Sequence, residues 1–240
     1  PFQDSEPDFL DMLRQGLVVG HFQPIFTLKD QNLCAYELLG RGNHPKLPPS
    51  PLPLFNLARS LGKEIELSEL FRTVGIRNAL SMGDQRIYFN TLPAEMHMPF
   101  LRKSLAGLRA MAPDLPLAME VHEAAATDPM MMRELRSLLD EMNMQLLYDD
   151  FGAGQARLLE IIKVPPDILK FDICLIKDIH LVLKHEYKAV HTLLRMAQDL
   201  GVRVLAEGIE VREEMEACLE MGFDLGQGFY LGKPIPNFID

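Results

Sequence analysis

Seven apolar runs in this sequence end on side chains that can hold a cation or move a proton. In chain order they are Glu37, then Asn90, then Glu120 with Glu123 three residues on. Asp149 with Asp150, Lys170 with Asp172, Glu207 with Glu210, and finally Gln227 complete the set. Carboxylate and amide oxygens are hard donors, which suit Mg²⁺ or Mn²⁺ better than zinc. So many acids on one small face would raise one another's pKa unless a counter-charge joined them. Divalent cations are the natural remedy, and two of them sharing a carboxylate form a known device for phosphoester hydrolysis. Lys170 is the one cation in the set. It suits a phosphate, an attacking water, or simple balance of the acids.

The stretch YDDFGAG, Tyr148 to Gly154, fits the same chemistry. Adjacent residues of a regular strand point to opposite faces, so Asp149 and Asp150 need a bend to act together. Gly152 and Gly154 give the following loop room to curve. Each residue alone has an ordinary use. Paired glutamates after a strand can serve a helix start, Asn90 can open a loop, and Lys170 can be a salt-bridge partner. The seven histidines show no HxH or HExxH spacing and read as surface or satisfied residues. The functional reading rests on the ensemble.

These residues need elements that bring them together. Residues 6–16 have helical spacing with Gly16 as a stop. Leu17 to Leu28 and Leu33 to Arg41 read as strands joined by the polar turn KDQN, hence a hairpin. Asn43 to Pro53 is proline-rich and reads as a loop leading into helical sequence rather than a linker. Strand and helix then alternate. The strands are Arg86 to Thr91, Leu115 to His122, Met144 to Phe151, Ile168 to Asp172, Val202 to Glu207 and Asp224 to Leu231. A long helical stretch runs from the strand at 168–172 to Leu200. Eight mostly apolar strands separated by helices favour a closed α/β barrel of TIM type, with one antiparallel strand from the hairpin. In such a barrel the strand ends converge on one face.

Composition sets outer bounds. The 240 residues carry 34 acidic and 24 basic side chains, a formal charge of −10. That argues against gripping a DNA or RNA duplex, which needs a basic face, and against contact with an anionic membrane. No apolar run approaches membrane-spanning length. Cys34, Cys174 and Cys218 are widely spaced and fit a reducing, cytoplasmic setting. Residues 1–240 are expected to be a single barrel domain, with 1–16 as a lead-in helix, cut from a longer protein.

Taken in order and spacing, the motifs resemble the EAL-domain family, bacterial phosphodiesterases of cyclic di-GMP. The resemblance runs from about Phe22 to Pro236. It is carried by FQPIF, YELLGRG, YFNTLP, MEVHE, DDFGAG, LKFD, AEGIE and GQGFYLGKP. It implies a modified TIM barrel with one antiparallel strand. It puts divalent metal ligands at Glu37, Asn90, Glu120, Asp149, Asp150 and Glu207, for two Mg²⁺ or Mn²⁺ ions. Lys170 matches the catalytic lysine, with Glu37 and Glu207 in the catalytic set; the general base stays open. Gln23, Arg41 and Gln227 match substrate-contacting positions, with Arg41 on a phosphate. Glu123 matches a residue that holds the loop after DDFGAG, and Glu210 and Asp172 stand behind the ligands. The resemblance further implies a homodimer through helices in 155–200 and a flanking regulatory domain.

Four positions depart from the family pattern, one of them Ala153 in DDFGAG, where the family's usual Thr hydroxyl is lost and a looser loop is expected. Leu38 replaces its Ala, and Gly40 and Gly42 replace residues often Leu and Trp. Leu38 is expected to be tolerated, whereas Gly42 is expected to remove a wall of the substrate pocket. The reading is thus a phosphodiesterase that opens cyclic di-GMP to linear pGpG. A receptor that binds the nucleotide without hydrolysis, and an interaction domain that has lost the nucleotide, are its rivals.

Overall fold

The structure is a computed structural model that describes residues 5–122, 125, 128–154 and 158–236. It opens with α1 (Glu6–Gln15), which has proline in its first turn and ends on Gly16 in the left-handed conformation at φ 67°, a common helix stop. The hairpin β1 (Val18–Thr27) and β2 (Leu33–Gly42) follows. The proline-rich stretch is a loop that enters α2 (Pro51–Ser60) at a proline, and α3 (Glu64–Ala79) comes next. Then β3 (Arg86–Thr91), α4 (Met98–Met111), β4 (Leu117–His122), α5 (Pro129–Glu141) and β5 (Met144–Phe151) alternate. The chain continues through α6 (Leu158–Lys163), β6 (Ile168–Phe171), α7 (Ile173–Ile176), α8 (Lys184–Asp199), β7 (Arg203–Ala206), α9 (Arg212–Met221) and β8 (Leu225–Gly226).

The eight strands close into a barrel in sequence order. β1 runs antiparallel to both β2 and β8, and the remaining pairings are parallel. This is the expected modified TIM-type barrel. All four residues of β6 are buried, as both faces of an inner strand require. Inside the barrel, Ile25, Ala35, Tyr88, Ala118, Leu147, Ile168, Leu205 and Leu225 form one apolar layer, one residue from each strand.

Two expected elements differ. The last strand was expected over Asp224 to Leu231 but stops at Gly226. Gly228 lies so close to the Ile209 backbone that a Cβ there would sit 2.1 Å from the Ile209 carbonyl oxygen. The chain therefore leaves the sheet, turns, and returns to β1 at the Phe22–Ile235 bridge. The long helix expected up to Leu200 is broken between α7 and α8. Asp178 takes φ 57°, and its N–H bonds the Glu214 carboxylate of α9 at 2.8 Å. A docking contact with a later helix breaks this stretch, with no proline or glycine to announce it.

The glycines explain how Leu38 is accepted. Its side chain is buried between β1 and α3, where a Cβ on Gly75 would lie 2.4 Å from Leu38 Cδ1 and one on Gly20 would lie 2.8 Å from it. The larger residue thus fills room that two glycines leave. Gly75→Ala should lower stability by about 1–3 kcal/mol through overpacking, against a helix-propensity gain of about 1 kcal/mol. In a Leu38→Ala background the same change should be neutral or stabilising. Urea denaturation of the four proteins tests this; equal effects in both backgrounds would refute the packing account.

Candidate active site

The site lies one step above the apolar layer. Moving two residues along a strand returns a side chain to the same face. From Ala35, Tyr88, Ala118, Leu147, Ile168, Leu205 and Leu225 that step reaches Glu37, Asn90, Glu120, Asp149, Lys170, Glu207 and Gln227. The antiparallel β1 is counted backwards, from Ile25 to Gln23. Each of the eight strands therefore contributes one polar residue to a single layer.

Lys170 is at its centre and fully buried. Its Nζ lies 3.3 Å from Glu37 Oε2, 3.2 Å from Glu120 Oε2, 3.0 Å from Asp149 Oδ1 and 3.7 Å from Glu207 Oε2. Asn90 Nδ2 donates to Glu37 Oε1 at 3.0 Å. Gln227 Nε2 donates to Glu37 Oε2 at 2.6 Å and to Gln23 Oε1 at 3.1 Å. Burial opposes the Lys170 charge, but Asp149, Glu120, Glu37 and Glu207 outweigh it and hold its pKa well above the usual lysine value. Burial, then the charge of Glu37, pushes Glu120 well above the carboxylate range against the pull of Lys170. Burial also pushes Glu207 up to about 7, again against Lys170.

Asp149 and Asp150 both reach this face because the strand bends. Asp150 takes φ 61°, and the β5–β6 pairing slips between Tyr148 and Phe151. Gly152 follows at φ 98°, a conformation that favours glycine. Carboxylate oxygens of Asp149, Asp150 and Glu207 come within 4.8 Å of one another. His122 Nε2 lies 2.9 Å from Asp150 Oδ2. The histidine is exposed and partnered, as a surface or satisfied residue should be, and it stands two residues after Glu120 on β4, so alternation puts it on the site's face.

The other expected residues fall at different depths. Arg41 lines a cleft of about 310 Å³ beside the layer, with Leu39, Phe55, Phe71, Asn90 and Asp149 among the other walls. Gln23 is buried, and its Nε2 donates to the Gly232 carbonyl at 3.1 Å. Asp172 caps α7, accepting from Cys174 N–H at 2.8 Å. Glu210 is exposed, with Lys177 at 3.8 Å. Among the described residues, neither Asp172 nor Glu210 bonds to the polar layer. Glu123 lies outside the described residues. Gly42 does not open the pocket as expected: Leu54 and Pro48 occupy the space, 2.8 Å and 3.2 Å from where its Cβ would stand. Gly40 is likewise covered by the Phe71 ring, which lines the cleft.

The residues present suit divalent cations. Five carboxylates face one ammonium, so the fully ionised layer keeps an excess of negative charge. Glu120 Oε1 is buried without a hydrogen bond, and Asp149 Oδ1 and Glu207 Oε2 are buried with only the shared Lys170 ammonium, at 3.0 Å and 3.7 Å. Buried acceptors in that state are costly, and hard oxygen donors match Mg²⁺ or Mn²⁺.

A pH dependence follows for the metal-free protein. Between the ordinary 4.5 and about 7, Glu207 keeps its proton when folded and loses it when unfolded. Stability should therefore fall as pH rises through that window, and Glu207→Gln should flatten the fall. Added Mn²⁺ should raise the unfolding midpoint more as pH rises, since binding needs ionised carboxylates. Denaturation in chelator and in Mn²⁺ across this range checks both trends.

Among the described residues no helix is long and apolar enough to cross a membrane. The chain is 27% identical over 245 residues to cyclic di-GMP phosphodiesterase NbdA of Pseudomonas aeruginosa, covering 96% of this chain and 30% of that protein. It is 25% identical over 246 residues to cyclic di-GMP phosphodiesterase RocR of the same species, covering 98% of this chain and 62% of that one. It thus spans less than two thirds of either relative. The PaMucR phosphodiesterase in complex with c-di-GMP superposes with TM-score 0.82 at 26% identity, covering 95% of this chain and 97% of that one. BlrP1 of Klebsiella pneumoniae, in a manganese and cyclic di-GMP complex, gives TM-score 0.80 at 26% identity over 91% of this chain and 56% of that one. The EAL domain family model matches residues 7–234. With its barrel closed around that polar layer, the chain belongs to the EAL domain family.

Proposed function

We propose that this chain is a divalent-metal-dependent phosphodiesterase that hydrolyses cyclic di-GMP to linear pGpG. One observation carries the reading: the eight-strand polar layer holds more carboxylates than its single lysine balances, with Glu120 Oε1 buried without a hydrogen bond and the oxygens of Asp149 and Glu207 sharing that one ammonium. Glu37, Asn90, Glu120, Asp149, Asp150 and Glu207 would hold two ions, Mg²⁺ or Mn²⁺. When bound, such ions supply Lewis-acid stabilisation at the phosphoryl group.

The chain's own residues supply the rest. In the hydrolysis a water oxygen bonds to phosphorus, the ribose 3′ oxygen leaves, and a proton passes from the water side to the leaving oxygen. Lys170 Nζ, which the surrounding carboxylates favour as an ammonium, is placed to serve as a charge and a hydrogen-bond donor. Gln227 Nε2 fixes Glu37 from the barrel interior. Arg41 is at the cleft, suited to a phosphate oxygen. Phe55, Phe71 and Pro93 give the same cleft apolar walls for a base. The departures at Leu38, Gly40 and Gly42 leave this machinery intact, because Gly20 with Gly75, Phe71 and Leu54 compensate for them in turn.

The wider setting is also part of the reading. Leu159, Ile162, Leu181 and Leu183 are large apolar residues between 49% and 71% exposed. They support a homodimer through the 155–200 region. A flanking regulatory domain fits the greater length of the relatives.

Purified protein with Mg²⁺ or Mn²⁺ should convert cyclic di-GMP to pGpG. Asp149→Asn should cost more than the ~10–100-fold that loss of an outlying partner of a metal ligand costs. Nucleotide binding without turnover in both ions would mean a receptor, and neither binding nor turnover would mean an interaction domain.

A further inference from the structure

Asn90 is laddered on one side only. The β2–β3 pairing stops at Leu38–Phe89, one residue before it. The β3–β4 pairing continues through Asn90–Glu120 and Thr91–Val121. The end of β3 is therefore laddered on one side, and the chain then enters a 3-10 turn over Pro93–Glu95.

A buried ion pair braces the other side. Arg72 of α3 and Glu95 of the turn meet at 2.7 Å, with side chains 3% and 0% exposed. Arg72 Nη1 donates to the Asn90 carbonyl at 3.2 Å, and Nη2 also donates to Ser104 Oγ at 3.0 Å. Glu95 accepts from the Leu92 N–H at 3.1 Å and from the Ser68 hydroxyl. The pair thus grips the backbone on both sides of Thr91, and Asn90 Nδ2 then reaches Glu37 Oε1.

Stability alone is a poor account of such a pair. Two buried charges often contribute no more than well-packed apolar residues of the same volume. A guanidinium fork and a carboxylate supply what apolar residues lack, namely directional bonds to chosen backbone atoms.

We infer that Arg72 and Glu95 are positioning residues that set where the Asn90 amide stands against Glu37, and thereby tune the divalent-ion site. The inference rests on the metal-site reading proposed above. The informative variant is Arg72→Met/Glu95→Leu, which removes both charges and leaves neither unpaired. Its metal-free unfolding midpoint should exceed that of either single variant, which leaves one buried charge unpaired. Mn²⁺ affinity by calorimetry should fall about 10–100-fold, and the Asn90 side-chain amide signal in ¹⁵N spectra of the metal-free protein should move. If the double variant fails to fold, Arg72→Lys serves the same readings. It keeps Glu95 balanced but cannot fork to Asn90, Glu95 and Ser104 together. Wild-type Mn²⁺ affinity in a folded variant would overturn the inference. If the wild type takes up no Mn²⁺, the metal reading fails, and the amide signal alone decides: unmoved overturns the positioning role, displaced supports it.

Discussion

The contact on which the site depends is that of one buried ammonium with the carboxylates around it. Lys170 has no access to water, so only Glu37, Glu120, Asp149 and Glu207 offset the loss of its hydration. Those acids in turn need it, because unpaired carboxylates this close would take up protons instead. Burial raises the pKa values of Glu120 and Glu207 in spite of the pull of Lys170. A layer tuned for stability would not carry that excess of negative charge. Active sites commonly hold such arrangements, where function and stability conflict.

The barrel makes this density of charge possible. Below the layer, eight apolar side chains fill the interior and anchor each strand one step from its polar residue. A small shift of register would send the same acids to the other face of the sheet. Outside the barrel, packing is complementary rather than generic. Leu38 uses the room left by two glycines, and the Phe71 ring covers Gly40 while also walling the cleft. Changes at the family signature are thus absorbed by its neighbours, and the polar layer stays in place.

Much of this was readable from the chain. Apolar runs that end on acids marked strands and their active ends, and the polar KDQN turn marked the hairpin that reverses β1. Other features depend on partners far away in sequence. Asp178 breaks a helical stretch because Glu214 binds its backbone. The last strand is short because Gly228 packs against Ile209. Arg72 and Glu95 are 23 residues apart, and nothing in either local pattern pairs them. His122 is a partial exception, since its spacing from Glu120 puts it on the right face without naming Asp150 as its partner.

By itself, the sequence determined the alternation of strand and helix, the residue type at each strand end, and the charge those residues carry. These follow from local periodicity, which side-chain hydrophobicity and backbone geometry set within a few residues. Tertiary structure alone decided that one lysine would be enclosed by four acids, that Asp150 would turn back beside Asp149, and that Leu54 would close the space at Gly42. Such outcomes depend on distances between elements. Only the closed barrel and its packed helices fix those distances.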